Sequence, residues 1–473
     1  MLSGFYYVLV CAEVFIMAQS SRSIQMTEGP FLGKVLLFAL PLAASSVLQL
    51  LFNAADVIIV GRFAGSTALA AVGSNGSLIN LLVNLFVGLS IGSNVVAARF
   101  FGAGDTAGLH QTVHTSVLVS LVGGVVMAFV GFTLARPMLE LMGSPANVID
   151  LATLYLRIYF IGMPVTMLYN FGAALLRSIG DTRRPLICLA TAGVLNVLLN
   201  LFFVIRLSLS VAGVALATIL SQAVSAAMVV WILMHENSPL RLDLRKLRIH
   251  VPVLRQILRI GLPAGLQGTV FSLSNVVIQS AINSFGSVVV AGCSASANLE
   301  NFIYVSMNAC YQACVTFTSQ NVGARKYKNI DRVLFCCMSC VIVIGLGMGL
   351  CAMLLGRQLL GIYCTDSAVI IAGYRRLSLV SCTYFLCGIM DTWVGSLRGL
   401  GYSVMPMIVS LMGSCVFRLA FVAFVFPVFH SELTLYISYP ISWLLTLSAH
   451  TVCFLVVRRR FRAPASEARA AVS

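Results

Sequence analysis

A few polar side chains stand inside stretches that are otherwise apolar, and they are the residues of this sequence best suited to chemistry. Asp56 follows Asn53 by about one helical turn in KVLLFALPLAASSVLQLLFNAADVIIVG, and Asn196 and Asn200 are four apart in VLNVLLN. Residues at such spacings share a helix face. Thr218 adds a hydroxyl in a later apolar run, Glu300 lies in SANLENFIYVSMN and Asp391 in CGIMDTWVGSLRG. A carboxylate, two or three carboxamides and a hydroxyl can satisfy one another, coordinate a desolvated sodium ion (Asp56, Asn196, Asn200), or surround a proton acceptor. Burial favours the neutral form of an acid and a nearby cation favours the charged form, so one such acid can exchange a proton for another cation. A plainer reading stands beside this one: asparagines also join helices, and Asp56 is only five residues from the polar turn GRFAG, near the headgroups.

The elements that carry these residues follow from composition. Of 473 residues, 59% are hydrophobic and 10% charged, too little polar surface for a soluble globule of this size. The run from Lys34 to Gly61 makes a helix of roughly 40 Å, enough to cross a bilayer. The apolar runs are long rather than short and alternating, so the chain is an all-α, polytopic membrane protein and not an outer-membrane barrel. A net charge of +15 raises the question of nucleic acid. Yet most lysines and arginines fall on one membrane side when spans are counted along the chain, which assigns both termini to the cytoplasm and leaves Arg418 as the cation inside a span.

Twelve spans are expected, at 34–60, 68–97, 113–134, 148–176, 186–205, 211–234, 257–283, 288–317, 333–355, 368–397, 403–426 and 433–457. Residues 1–25 include the apolar segment GFYYVLVCAEVFIMA with Glu13, too short for a span and wrongly flanked for a signal peptide. It is read as peripheral, with Met26 as a candidate natural start. Residues 26–234 form the first lobe (spans one to six), 235–256 a cytoplasmic linker, 257–457 the second lobe and 458–473 a basic cytoplasmic tail.

The two halves are copies. Gly65 pairs with Gly286, Gly102 with Gly323, Arg177 with Arg398 and Gly180 with Gly401, all 221 residues apart, while Pro41 pairs with Pro263 at 222. Six spans separate equivalent points, so the copies keep the same orientation and are parallel repeats. Two such lobes face each other across a cleft, the geometry of alternating access. The copies differ chemically where Glu300 replaces Ile79 and Asp391 replaces Asn170. Glu300, flanked by Asn298 and Asn301, reads as functional, whereas Asp391 has Arg418 as a candidate structural partner. Met307, Met390 and Tyr384 suit a broad apolar pocket. Most of the 14 cysteines lie in apolar helices of the second half, and Cys337-x-x-Cys340 lacks a second ligand pair, so no metal or disulfide framework is expected.

Together, FNAADVIIVGRFAGSTALAAVG, GLSIGSNVVAARFFGAGD, LLRSIGDTRRP, VLNVLLN and VAGVALATILSQ resemble the multidrug and toxic-compound extrusion (MATE) transporters, closest to their bacterial DinF-like branch. The resemblance covers residues 26 to 458. It implies a V-shaped, two-lobed inner-membrane antiporter that exports small organic, often cationic, compounds in exchange for protons or sodium, without a cofactor. It also implies an ion site in the first lobe comprising Asp56, Asn196, Thr218 and the fourth-span Tyr155. This sequence departs from the pattern at Asn200, often aspartate in that branch, and at Phe52, often tyrosine; the loss of a second carboxylate leaves proton and sodium both open. Acids that other branches carry in the seventh span are missing, and Glu300 is the candidate replacement. Membrane lipids are the expected surroundings, nucleic acid is excluded and a monomer is expected. A flippase for a lipid-linked precursor is the alternative, expected to need a more basic cleft. An enzyme finds no support, since neither H-E-x-x-H nor a Ser, His and Asp set appears.

Overall fold

In lipid, main-chain N–H and C=O groups find partners only in one another, so apolar runs of this length fold as helices. The computed structural model describes residues 24–142, 145–236 and 238–461. Residues 1–23 of the segment expected to be peripheral, and 462–473 of the basic tail, lie outside the described residues.

The helices are α1 (Phe31–Phe63), α2 (Ser66–Ala103), α3 (Thr106–Leu141), α4 (Ile149–Ile161), α5 (Met163–Ser178), α6 (Arg183–Leu201), α7 (Ser210–Met234), α8 (Val251–Asn283), α9 (Ser287–Gly323), α10 (Lys328–Leu354), α11 (Gly356–Gly361), α12 (Ser367–Gly399), α13 (Val404–Ser410), α14 (Phe417–Ala420) and α15 (Glu432–Arg460). Wider π-helical turns follow α6 (Phe202–Arg206) and flank α14 (Leu411–Val416 and Phe421–Val425). No strand occurs among the described residues. Each expected span falls, to within a residue, on one of these helices or on consecutive helical segments.

Among the described residues, ten helices, or eleven counting α4 and α5 as one span bent by 49°, are long and apolar enough to cross a membrane. The bend falls at Gly162, with Pro164 in the first turn of α5. Helix α8 is as long but less apolar, and its polar side chains have a destination. Ser272, Ser274, Asn275 and Gln279 line a partly open cavity.

The duplication is visible in the backbone. Gly65 and Gly286 both have φ of 89°, and Gly180 and Gly401 have 96° and 95°. These left-handed turns suit glycine because it lacks a Cβ. A third pair breaks the rule: Gly104 has φ of 68°, and its counterpart at offset 221 is Arg325, with φ of 56°.

The chain forms two compact units. One comprises Ala44–Ile79 and Thr106–Leu254; the other comprises Met26–Ala43, Asn80–Asp105 and the chain from Arg255 onward. These limits differ from the lobe boundaries expected from the repeat, which gave all of 26–234 to the first lobe. Close helix crossings in the second unit explain the difference. A methyl group on Gly102 would sit 2.1 Å from the Gln320 carbonyl oxygen, and one on Gly323 would sit 2.0 Å from that of Arg99. Gly88 meets Gly265, and Gly92 meets Gly261, in the same backbone-to-backbone fashion. Residues 26–43 are held there by the Phe38–Phe317 edge contact (5.7 Å), by Asn321 Nδ2 donating to Met26 O (2.9 Å) and by Lys326 Nζ on Glu28 Oε1 (2.5 Å). Lys326 holds the Glu28 carboxyl below its ordinary range.

Within the first unit, the linker is fastened to α3. His114 donates from Nδ1 to His110 O (2.7 Å) and accepts at Nε2 from the Asp243 backbone N–H (3.2 Å). Thr115 Oγ1 accepts from His250 N–H (3.1 Å). Asp243 caps the short turn Leu244–Lys246, and the Arg245 N–H on its carboxyl keeps that group below the usual carboxylate range.

Candidate ion and substrate sites

Helix α1 brings Asp56 to α6 through a close contact one turn earlier. The Phe52 ring lies against Gly193, where a methyl group would be 1.7 Å from Phe52 Cε2, so only glycine fits. From Gly193, the same face of α6 continues to Asn196 and Asn200. Asn200 Nδ2 donates to Asp56 Oδ1 (2.5 Å) and to Asn196 Oδ1 (3.2 Å). Asn196 Nδ2 donates to Thr218 Oγ1 (3.4 Å), and Thr218 donates to Val214 O (3.0 Å). Four residues singled out by spacing thus form one connected chain across α1, α6 and α7.

Asn200 is fully buried, and its Oδ1 has no hydrogen-bond partner. No basic residue forms an ion pair with Asp56 among the described residues. The helix widens into a π turn two residues after Asn200, a distortion that often accompanies function. Tyr155 is buried, stacks on Tyr159 (6.2 Å between centroids) and lies within electrostatic reach of Asp56. Asn53 does not join: it is exposed and makes no hydrogen bond to the set. A three-residue step turns a helix by about 300°, enough to carry one of the two side chains off the buried face.

The second unit holds a different arrangement. Glu300, 4% exposed, accepts from Arg376 Nε and Nη2 (3.0 Å each) and from Ser296 Oγ (2.8 Å). Arg376 sits inside α12, so Arg418 is not the only cation inside a span. The two-pronged pairing, with the Tyr439 ring 5.7 Å from the guanidinium, offsets the desolvation of both charges. Arg398, near the other end of α12, is also buried; it donates to Tyr311 Oη and to Gln267 Oε1 (2.9 Å).

The expected pair of Asp391 and Arg418 does not form. Asp391 makes no hydrogen bond or ion pair among the described residues and feels Arg398 electrostatically instead. Arg418 donates from Nε to Ser442 Oγ (2.8 Å) and stacks 4.4 Å from the Tyr439 ring.

A cavity of ≈ 520 Å³ lies among these groups, lined by residues including Glu300, Asn301, Tyr384, Met390, Asp391 and Arg418. Met307 is not among its lining; it is buried, its Sδ filling the space over Gly345 and Gly388. Sequence reasoning missed Arg376 and Arg398 because both stand near helix ends, where a basic residue reads as a flank. The described cysteines are free, and no cluster suited to a metal ion occurs among the described residues.

A polytopic helical membrane protein with ionisable centres among its helices belongs by class with the transporters. The sequence model of the MatE family matches residues 41–202 and 263–424, more than half of the chain, and the chain belongs to that family. The two matches start at the paired prolines. Probable multidrug resistance protein YoeA of Bacillus subtilis is 27% identical over 382 residues, covering 79% of this chain and 82% of YoeA. Probable multidrug resistance protein YpnP of the same organism is 27% identical over 405 residues, covering 85% and 90%. A solved structure described as the outward-facing conformation of a multidrug resistance MATE family transporter of the MOP superfamily superposes with a TM-score of 0.85 at 23% identity, covering 94% of this chain and 99% of that one. That likeness concerns the fold. The chain is a membrane transporter of small molecules and not an enzyme.

Proposed function

We propose that this transporter exports organic compounds, many of them cationic, by antiport, with Asp56 as the residue that takes up and releases the coupling ion during alternating access. One observation carries the reading: the partly buried Asp56 carboxyl is met by a neutral carboxamide, that of Asn200, and has no ion pair among the described residues. A carboxylate so placed is free to change its charge, because no permanent partner is stranded when it does. The names of the relatives, multidrug resistance proteins, support the export of multiple compounds.

A proton suits the arrangement, since a protonated carboxyl keeps an oxygen that can accept from the Asn200 amide and needs only one further acceptor for its O–H. A sodium ion is the second reading, favoured by the unpartnered, buried Asn200 Oδ1. Asp56, Asn196, Asn200 and Thr218 would hold it, after the carboxamides turn their oxygens inward. We assign the protein to the inner membrane as a monomer surrounded by lipid, with both termini cytoplasmic.

Ethidium transport in everted vesicles tests this, with the pH gradient and the sodium gradient collapsed separately. Loss of transport on collapsing only the pH gradient is the expected result. Asp56→Asn should reduce transport to background while the protein still reaches the membrane; undiminished transport would remove Asp56 from the mechanism.

A further inference from the structure

The cavity of the second unit contains a cation that the protein itself leaves unanswered. Three arginines stand in or beside it. Arg376 is committed to Glu300 through two nitrogens, and Arg398 is engaged by Tyr311 and Gln267. Arg418 is 8% exposed, lines the cavity, and has no carboxylate within ion-pair distance among the described residues. Its Nε is fixed on Ser442, and its face lies over Tyr439 and, at 5.6 Å, Trp443. Its two terminal nitrogens make no hydrogen bond to the described residues. A guanidinium held by Nε and by stacking on one face presents its remaining donors as a rigid fork, the geometry that matches a carboxylate.

The surroundings favour an aromatic body for the group that brings the carboxylate. Tyr384 lies tilted against Trp443 (5.1 Å between centroids), and Trp443 meets Tyr439 edge-on (5.8 Å). These rings form a continuous wall beside Arg418. Planar π systems pair with such a wall in offset or edge-on contact. The volume, ≈ 520 Å³, is that of a site for one drug-sized molecule. The π turns on both sides of α14 place Arg418 on a stretch of helix that departs from regular winding at each end. We propose that this cavity is a binding site for aromatic carboxylates, with Arg418 as the carboxylate receptor. A ligand that also bears a positive group would meet Asp391, a lining residue without a hydrogen bond or ion pair among the described residues.

The inference rests on the export reading, because it names a class of exported compound, and the test separates the two. The full-length protein in lipid nanodiscs is titrated against rhodamine B, which carries a free carboxylate, and against its methyl ester, which lacks only that charge; anisotropy reports binding. Wild type should bind the acid about tenfold more tightly than the ester, the worth of one charge-assisted contact. Arg418→Gln should abolish the difference by weakening the acid alone, and Arg418→Lys should restore part of it. Equal affinities in wild type, or no binding of rhodamine B, would overturn the proposal. So would an Arg418→Gln protein that keeps the preference, or that loses ester and acid together, since that marks a structural role. Failure of the export reading would be seen elsewhere, as vesicles that move neither dye while the equilibrium preference for the acid persists.

Discussion

Asp56 and Glu300 are both carboxylates set in helices of a membrane protein, and the two units treat them in opposite ways. Asp56 meets the Asn200 carboxamide, a neutral group with both a donor and an acceptor to offer. Glu300 is gripped at both oxygens by one guanidinium and also by Ser296. A neutral shell leaves an acid able to titrate, whereas a matched ion pair holds it in a single state. The second unit keeps its unmatched charge elsewhere, on Arg418. The two copies thus share left-handed turns, while the two units surround their carboxylates with unlike chemistry.

The sharpest way to break this comparison is to exchange the consequences of mutation. Asp56→Asn should eliminate exchange in vesicles yet leave thermal stability almost unchanged, because the carboxamide can still accept from Asn200. Arg376→Met should do the reverse to the fold. It leaves Glu300 buried and unpaired, an expected loss of about 3–5 kcal/mol, read as a much lower melting temperature. Adding Glu300→Gln should return most of that loss; a double variant as unstable as the single one would show that the pair does more than neutralise itself.

A smaller effect is expected at Asn196. Asn196→Ala removes one acceptor and one donor from the chain that links Asp56 to Thr218, about 1 kcal/mol of stability, and should slow transport without abolishing it. The smallest change concerns the repeat itself. Arg325 adopts the left-handed conformation that its counterpart Gly104 adopts without strain. Arg325→Gly should therefore stabilise the protein by about 0.5–1 kcal/mol, while Gly104→Ala should destabilise it by a similar amount. Both are measurable by thermal unfolding in detergent.

Much of this organisation was legible in the residues. Asn196 and Asn200 are a helical turn apart and share a face, so their placement needed only a period of 3.6, and the repeat offset anticipated the paired left-handed glycines. What local pattern could not supply was anything resting on contact between distant segments. The Glu300–Arg376 pair joins residues 76 positions apart, and an arginine ten residues into a helix reads as a flank until the fold shows its partner. The same limit separated Asp391 from Arg418, since proximity in composition is not proximity in space. Asn53 failed for a simpler reason: its three-residue spacing from Asp56 leaves the shared face undecided when the helix is only partly buried. The unit boundaries were hidden because they depend on glycines of α2 touching the main chain of α8 and α9, a fact of packing alone.

The crossing of Gly102 and Gly323 carries one more consequence. These two residues occupy the same place in the ancestral six-helix module, and in the doubled chain each lies against the main chain of the helix that carries the other. Their fates are therefore linked across half the gene: one added carbon in either copy wedges both helices, so drift that either module alone would have tolerated is forbidden to the pair.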